Sequence, residues 1–325
     1  MTAGSKTKEP VDCLIIGAGP AGLTAATYLG RFHRGLLVID SGKSRAAQIP
    51  ESHNHPGFAG IAGPALLAAM RRQAGRYGAR FEHGEVTALA HSGDGYLASF
   101  ERTDGRGSGE LQARRVLLAT GLTDAAPDLP GLDQAVANAL IRYCPICDGF
   151  EATDANLAVY GPFPDARNKA LFLRTYTRRI TILPRDPGAA PKDLAAAGIA
   201  VAASAPARMW QSNSGIGVEL QSGEKLEFDA VYPALGCDVH SALARRLGAR
   251  CTDIGCVKVD DHQQSSVEGF YAAGDVVSDL HQLSVAEGHA AIAATAIHNS
   301  LPRNFRRPER DGVFTGVEPG GAAAR

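Results

Sequence analysis

Two cysteines separated by two residues, Cys144 and Cys147, are the side chains in this sequence with the clearest capacity for chemistry. Thiols at this spacing can close a small, reducible disulfide ring, and such a pair indicates redox chemistry when a nucleotide-binding pattern accompanies it. Asp148 follows directly and can shuttle a proton if it lies within hydrogen-bonding distance of the reacting thiols. The sequence therefore predicts a thiol/disulfide redox centre at Cys144, Cys147 and Asp148.

The alternative for this cysteine pair is one half of a structural zinc site. Zinc needs two further ligands at suitable spacing. Cys251 and Cys256 form the other close pair of cysteines, but their spacing does not repeat that of the first pair. The redox interpretation is therefore favoured and no metal is expected. Cys13 lies in a predicted buried strand and is expected to belong to the core.

A dinucleotide-binding pattern lies near the start of the chain. An apolar strand at 11–16 runs into residues 17–22, Gly-Ala-Gly-Pro-Ala-Gly, then an apolar helix, a second strand at 36–39 and Asp40. In this pattern the first glycine makes a tight turn, the second lets the backbone approach a pyrophosphate, and the third lets the helix pack on the strand. The helix N-terminus faces the phosphates and the acid accepts a ribose hydroxyl. The pattern favours a bound dinucleotide over a phosphate-free turn.

A second strand–turn–helix–strand unit begins near residue 156, and its turn is different. Residues 161–166 read Gly-Pro-Phe-Pro-Asp-Ala, so Phe163 stands where the second glycine is expected and two prolines remove backbone donors. Arg185 and Asp186 follow the next strand, in place of the basic cluster expected for a 2′-phosphate. We interpret this unit as a nucleotide fold whose nucleotide site is lost or weakened. An unusual turn that still binds NADPH is the alternative.

Composition and charge limit the classes of function. The 325 residues are 45% hydrophobic and 21% charged, which is typical of a globular protein with a sizeable core. The formal net charge is −1 and no long basic run occurs, so nucleic acid is not an expected partner. The apolar stretches are shorter than the roughly 20 residues of a membrane span, and the polar first ten residues are unlike a signal peptide. Six cysteines do not make a secreted disulfide scaffold, so we expect a cytoplasmic protein.

Four motifs, in order, carry a resemblance to a known family over about residues 11–300. They are the glycine turn at 17–22, Ala-Thr-Gly at 119–121, Cys-x-x-Cys-Asp-Gly at 144–149, and Ala-Gly-Asp at 273–275 followed by His-Gln at 281–282. With these motifs the chain resembles the low-molecular-weight thioredoxin reductases and their thioredoxin-reductase-like flavoprotein relatives. The resemblance implies an FAD-dependent disulfide oxidoreductase that forms a homodimer.

The resemblance also implies roles for individual residues. Cys147 would face the flavin, Cys144 would exchange with the external thiol, and Asp148 would be the acid/base. The glycine turn and Asp40 would hold the ADP half of FAD, and Asp275 would meet the ribityl and pyrophosphate region. For the histidine before the last helix, a solvent-facing position is the alternative to a flavin contact. The implied cofactor contacts are Gly17, Gly19, Pro20, Ala21, Asp40, Gln48, Asn54, Thr120, Gly121, Gly274, Asp275, His281 and Gln282.

The expected architecture is α/β, with two Rossmann-like (FAD/NAD-binding) three-layer domains, the second inserted in the first. Besides the two strand–turn–helix units, we predict a helix at 64–77, a small antiparallel hairpin within 79–118 and a long Ala-rich helix at 282–299. The predicted boundaries are 1–124 with 237–302 for the FAD-binding domain, 125–236 for the NADPH-domain-like unit that carries the cysteines, and 303–325 for a mobile tail.

Three functions agree with these patterns. The first is a thioredoxin-reductase-like enzyme with a degraded NADPH site, which reduces a thioredoxin-like protein or a small disulfide with electrons from NADPH, ferredoxin or another carrier. The second is a dithiol oxidase, which passes electrons from a small dithiol through FAD to oxygen. The third is a flavin-binding partner protein without turnover, and the complete Cys144, Cys147 and Asp148 set argues against it. The sequence does not choose between the first two.

Overall fold

The structure, a computed structural model, describes residues 9–186, 188, 191–278 and 280–305. Residues 306–325 of the predicted mobile tail therefore lie outside the described residues. The helices are α1 (Pro20–Arg31), α2 (Gly63–Arg76), α3 (Leu132–Ala137), α4 (Pro145–Asp148), α5 (Phe163–Leu173), α6 (Lys192–Ala196), α7 (Ala242–Arg246) and α8 (Leu283–Ser300), with a 3₁₀ helix at Arg45–Gln48. The strands are β1 (Val11–Ile16), β2 (Leu36–Asp40), β3 (Arg80–Ser92), β4 (Gly95–Arg102), β5 (Ser108–Leu118), β6 (Leu122–Asp124), β7 (Leu157–Gly161), β8 (Ile180–Pro184), β9 (Ala200–Val201), β10 (Pro206–Gln211), β11 (Ile216–Leu220), β12 (Lys225–Phe228), β13 (Ala230–Pro233), β14 (Cys237–Val239) and β15 (Phe270–Ala272).

The main sheet contains the first dinucleotide pattern and is parallel at its centre. β1 pairs in parallel with β2 on one side and with β5 on the other, and β15 pairs in parallel with β5. β1 and β2 are nearly continuous apolar runs, as expected for parallel strands that are covered on both faces. The predicted strand–turn–helix–strand arrangement is confirmed in β1, α1 and β2.

The predicted hairpin within 79–118 is a three-stranded antiparallel meander that continues the main sheet. β4 pairs in antiparallel fashion with β3 and β5. β5 pairs with β4 through residues 108–113 and with β1 through residues 113–118, so one long strand belongs to both parts. β3 also pairs in parallel with β2. The meander is thus part of the main sheet and not a separate insertion.

α1 and α8 pack against each other and cover one face of the main sheet. Small side chains allow this close approach, because the packing distance between helices depends on the side chains at the contact. The segment from β15 to α8 also brings the N-terminus of α8 close to the glycine turn. The fully buried alanines of the two helices are Ala25, Ala26, Ala290, Ala293 and Ala294.

A second parallel sheet, in the order β13-β7-β8-β9, forms the inserted unit. α5 packs on it. A three-stranded antiparallel sheet of β10, β11 and β12, which the sequence did not predict, packs against it through an apolar cluster that both sheets share. The chain leaves the main sheet through β6 and returns through β14, and these two strands pair with each other. The predicted fold of two Rossmann-like units, one inserted in the other, is confirmed, while the boundaries at 124/125 and 236/237 remain predictions. In the described ranges no helix is both long and apolar enough to cross a membrane.

Gly22 and Gly288 offer a matched test of the packing at the glycine turn. A Cβ on Gly22 would lie 1.9 Å from the carbonyl oxygen of Gly17, whereas Gly288, within α8, has no described atom within 4 Å outside its own helix backbone. We expect Gly22→Ala to lower the free energy of unfolding by about 1–3 kcal/mol, as in other overpacked sites. We expect Gly288→Ala to raise it by about 0.5–1 kcal/mol. Thermal unfolding of both variants measures the difference, and a Gly22→Ala midpoint equal to that of the parent protein would contradict the close approach.

Candidate active site

Cys144 and Cys147 are joined by a disulfide across the single turn of α4. Their Cα atoms are 5.3 Å apart. Cys144 is the N-cap residue of this turn, and its Sγ accepts a hydrogen bond from the backbone N–H of Cys147 at 3.1 Å. Pro145 occupies the first helical position, where its fixed φ suits a helix start and its missing N–H is not needed. The local sequence therefore folds the predicted redox pair into one short, closed turn.

Two side-chain amides from the main-sheet unit contact the redox turn. Gln282 Nε2 lies 3.3 Å from the Sγ of Cys144 and 3.3 Å from the Sγ of Cys147. Asn54 Nδ2 donates to Gln282 Oε1 at 3.0 Å and to the carbonyl of Ile146, between the cysteines, at 3.3 Å. The resemblance implied that Asn54 and Gln282 lie near the flavin. The structure places Gln282 against the sulfur atoms and Asn54 against Gln282 and the Ile146 carbonyl.

Asp148 lies beside the redox turn and is held by two side chains of the inserted unit. The Tyr232 hydroxyl donates to Asp148 Oδ1 at 2.9 Å, and Arg142 Nη1 lies 3.7 Å from Oδ2. Burial raises the pKa of the Asp148 carboxyl, although Arg142 and the Tyr232 hydroxyl oppose this shift. A carboxyl with a raised pKa holds a proton at a higher pH than an exposed carboxyl does, which is the direction of shift that favours an acid/base role.

Lys169 fixes the segment before the redox turn to the inserted sheet. Its Nζ, on α5, donates to the carbonyl oxygens of Tyr143 at 2.9 Å and Pro233 at 2.5 Å. Burial lowers the pKa of Lys169 from 10.5 to about 8. Lys169 thus joins the residue before Cys144 to the end of β13, the strand that carries Tyr232.

The redox pair opens onto a cleft of about 1160 Å³ that runs to the glycine turn. This volume exceeds the usual range of about 300–1,000 Å³ for small-molecule pockets, so the cleft can contain a dinucleotide. The structure brings every predicted site residue to the wall of this one cleft, although their roles remain predictions. These residues are Gly17, Gly19, Pro20, Ala21, Asp40, Gln48, Asn54, Thr120, Gly121, Cys144, Cys147, Asp148, Gly274, Asp275, His281 and Gln282.

The glycine turn has the geometry that a dinucleotide needs. Gly17 has φ +103°, and a Cβ there would lie 2.4 Å from the Ala119 carbonyl oxygen, so a side chain is excluded. Asp40 Oδ1 accepts the backbone N–H of Ala18 at 2.9 Å and so fixes the turn. α1 begins without an acidic residue in its first turn. At the other side of the cleft, His281 Nε2 is buried and has no hydrogen-bond partner among the described residues. These features fit a bound dinucleotide with polar atoms near the last helix.

Arg45 is a residue of this cleft that the sequence did not single out. From the 3₁₀ helix its Nε lies 2.5 Å from Asp124 Oδ2, and its Nη1 lies 3.4 Å from Asp275 Oδ2. Arg142, Lys169 and Tyr232 were missed as well. No local spacing signals them, because each acts on a partner from another element. The one signal that could have indicated Arg45 is its position as a basic residue shortly after Asp40, the acid that ends β2.

The corresponding turn of the inserted unit is built differently. α5 begins at Phe163, with Pro162 as its N-cap residue and Asp165 in its first turn. A Cβ on Gly188 would lie 3.6 Å from the Phe163 ring, so the ring lies against the segment that follows β8. Arg185 pairs with its neighbour Asp186 at 3.8 Å. A phenyl ring and a carboxylate therefore lie where the first unit presents bare backbone.

Comparisons with known proteins agree with this arrangement. A profile of the pyridine nucleotide-disulphide oxidoreductase family matches residues 11–294. The thioredoxin reductase of Mycolicibacterium smegmatis is 32% identical over 300 residues, which cover 87% of this chain and 94% of that protein. The thioredoxin reductase of Bacillus subtilis (strain 168) is 29% identical over 309 residues, which cover 89% of this chain and 94% of that protein.

Solved structures show the same similarity in three dimensions. The crystal structure of HlmI superposes with a TM-score of 0.81 at 29% identity, covering 91% of this chain and 94% of that one. The thioredoxin reductase from Streptococcus pyogenes MGAS5005 gives a TM-score of 0.77 at 27% identity, covering 89% and 97% of the two chains. The chain therefore belongs to the pyridine nucleotide-disulphide oxidoreductase family and is a flavoprotein disulfide oxidoreductase similar to the thioredoxin reductases.

Proposed function

We propose that this enzyme exchanges electrons between an external dithiol or disulfide and FAD through Cys144 and Cys147, without using NADPH. The observation that carries the proposal is the contrast between the two turns. Residues 17–22 leave the backbone bare beside the redox cleft, whereas the turn of the inserted unit is covered by Phe163 and made acidic by Asp165. The N-terminus of a helix favours a negative charge. A carboxylate of the protein at that position occupies this site and repels a phosphate.

FAD would lie in the cleft of the main-sheet unit. The turn at 17–22 and the N-terminus of α1 would hold the pyrophosphate, and Asp40 would accept a ribose hydroxyl. Asp275 and His281 would contact the part of the cofactor nearer the flavin ring. When bound, FAD supplies the two-electron chemistry, and the protein orients and tunes it.

Thiol exchange at the redox turn would proceed through a mixed disulfide. A thiolate of the external dithiol attacks Cys144 Sγ, the bond between the cysteines breaks, and Cys147 leaves as a thiolate. The second external thiol then attacks the mixed disulfide, so that the substrate leaves as a disulfide and the enzyme retains both electrons and a proton. Asp148 would hold that proton. Reduction of an external disulfide is the same sequence in reverse.

The surface beside the redox turn supports a partner with apolar character. Ile146, between the two cysteines, is 47% exposed, and Phe150 is 76% exposed. A thioredoxin-like protein or a small apolar dithiol could bury these side chains while its sulfur approaches Cys144. We expect the enzyme to work as a homodimer, as the resemblance implies.

Anaerobic titration with two reductants tests the electron route. We expect stoichiometric NADPH to leave the flavin absorbance of the purified protein unchanged, and dithiothreitol to bleach it. Of these two reductants, dithiothreitol would have an entry at the redox turn, whereas NADPH would have none at the turn of the inserted unit. Cys144→Ser is the control, and it should abolish bleaching by dithiothreitol.

The outcomes separate the possible functions. Rapid bleaching by NADPH would contradict the proposed loss of the second nucleotide site. Bleaching by dithiothreitol followed by immediate recovery in air would favour a dithiol oxidase. Slow recovery in air would favour a reductase that receives electrons from a carrier such as ferredoxin. Bleaching of Cys144→Ser by dithiothreitol would show that the cysteine pair is not the entry.

Asp148→Asn tests the carboxyl group through stability and rate together. Because burial raises the pKa of Asp148 above 3.8, the folded protein retains a proton that the unfolded chain releases as pH rises, and the ionised group lowers stability at neutral pH. We expect Asp148→Asn to raise the thermal midpoint at pH ~7, with a smaller gain at pH ~4. We also expect flavin reduction by dithiothreitol, followed by stopped-flow absorbance, to slow about 100-fold or more.

Tyr232→Phe is the matched control, because it keeps the carboxylate and removes the hydroxyl that donates to it. Loss of a donor to the charged form raises the carboxyl pKa further. The thermal midpoint should therefore fall, and the loss should be larger at neutral than at acidic pH. Differences that do not change with pH would argue against a buried, ionised Asp148, and an unchanged rate in Asp148→Asn would argue against proton transfer by this residue.

A further inference from the structure

A directed chain of three side chains, joined by hydrogen bonds, ends on the disulfide. Two of them lie in the loop after the 3₁₀ helix, and the third belongs to the N-cap residue of α8. Ser52 Oγ donates to Asn54 Oδ1 at 3.4 Å, Asn54 Nδ2 donates to Gln282 Oε1 at 3.0 Å, and Gln282 Nε2 reaches both sulfur atoms at 3.3 Å. Successive hydrogen bonds in one direction polarise each other. The two N–H groups of the last amide are therefore aimed at the atoms that react.

The direction of this chain is fixed by its surroundings. The carbonyl of Ile146 can only accept a hydrogen bond, so Asn54 must turn its amino group toward it. The same amino group then faces Gln282, which must present its carbonyl oxygen to Asn54 and its amino group to the sulfurs. Gln282 is the N-cap residue of α8, but its side chain makes no capping hydrogen bond to that helix. Its amino group therefore contacts the two sulfur atoms and not the helix.

Charged groups of the elements around the cysteines act on a thiolate as well. The titratable and charged residues of these elements that line the cleft are Tyr143, Asp148, Glu151 and Arg142 from the redox segment, Glu51 and His53 from the loop, and His281 before α8. Lys169 and Tyr232 contact the redox segment from the inserted unit. Three of these are carboxyl groups, and nearby negative charge disfavours a thiolate. A hydrogen bond to the charged form favours it, and the amide supplies this without adding a charge.

We propose that Gln282, oriented by Asn54, stabilises the thiolate that forms when the Cys144–Cys147 disulfide is opened, and thereby raises the reduction potential of this pair. Gln282 touches the reacting sulfurs and is a catalytic residue, whereas Asn54 acts through Gln282 and is a positioning residue. The inference deepens the proposed function and rests on it. In the exchange step the electron pair of the broken bond stays on Cys147 Sγ, which the amide N–H then meets.

Gln282→Met removes the donor and keeps the length of the side chain. We expect the thiol pKa of the reduced pair to rise by about one unit, which is a tenfold change in the thiolate equilibrium. At a pH above the thiol pKa the midpoint potential should fall by about 30 mV, the equivalent of a tenfold change for a two-electron couple. At a pH where both thiols are protonated, the potentials of the variant and the parent should converge, because the neutral thiol gains little from the donor.

The measurement uses the FAD-loaded protein and does not depend on turnover. The protein is equilibrated anaerobically in glutathione redox buffers, quenched in acid and alkylated, and the oxidised fraction of the cysteine pair is read by mass spectrometry. The thiol pKa comes from the pH dependence of alkylation by iodoacetamide. Ser284→Ala, at an exposed position in the first turn of the same helix, is the matched control and should change neither quantity.

Asn54→Ala provides a second variant that leaves Gln282 in place. It frees the Gln282 amide to rotate, so we expect a smaller shift of the thiol pKa in the same direction. Unchanged thiol pKa and potential in Gln282→Met, or a change in potential that is equal at all pH values, would overturn the proposal. Failure of dithiothreitol to reduce the flavin in the parent protein, with the thiol pKa shifted as expected, would instead count against the proposed function alone.

Discussion

The ion pairs of Arg45 connect the parts of the chain that make the cleft. Its guanidinium joins Asp124, where the chain leaves the main sheet, to Asp275, which follows β15, a strand of that sheet that pairs with β5. All three side chains are largely buried, with 16–24% exposure. Removing one member of a buried pair leaves an uncompensated charge and costs about 3–5 kcal/mol. The placement of β6, the strand that leads to the inserted unit, relative to the segment after β15 therefore depends on one arginine.

The two Rossmann-like units differ in how the turn before the first helix is built. Both place a helix directly after the first parallel strand, and both have a proline near the helix start. In the first unit, residues 17–19 precede the helix and carry no side chain larger than a methyl group, and the helix begins at Pro20. In the inserted unit Phe163 occupies the turn, and Lys169 of the same helix holds the redox segment. The second unit thus uses the end of its sheet to position Cys144 and Asp148.

Local patterns predicted the parts of the structure that are themselves local. The glycine turn, the cysteine pair and the Ala-rich helix each lie within one element, so their spacing carries the information. Contacts between distant elements carry no such signal: Arg45 is 230 positions from Asp275, Asp148 is 84 from Tyr232, and Gln282 is 138 from Cys144. The strands β10 to β12 were missed because they are short and have few of the β-branched residues that mark a strand. The motif resemblance supplied the site membership that spacing could not.

An amide beside the cysteines suits a redox pair that exchanges electrons with a flavin, because an amide donor has no charge that changes with pH. A lysine or histidine there would stabilise a thiolate more strongly, but its charge would change with pH and would move the potential of the pair with it. Lys169, which contacts the redox segment, has its pKa lowered to about 8 by burial, and it donates to two carbonyl oxygens. Gln282 cannot titrate, so its effect on a thiolate is constant over the range in which the cysteines exchange. The pH dependence of the site would then come from Asp148 and from the thiols themselves, which are the groups proposed to exchange protons in the reaction.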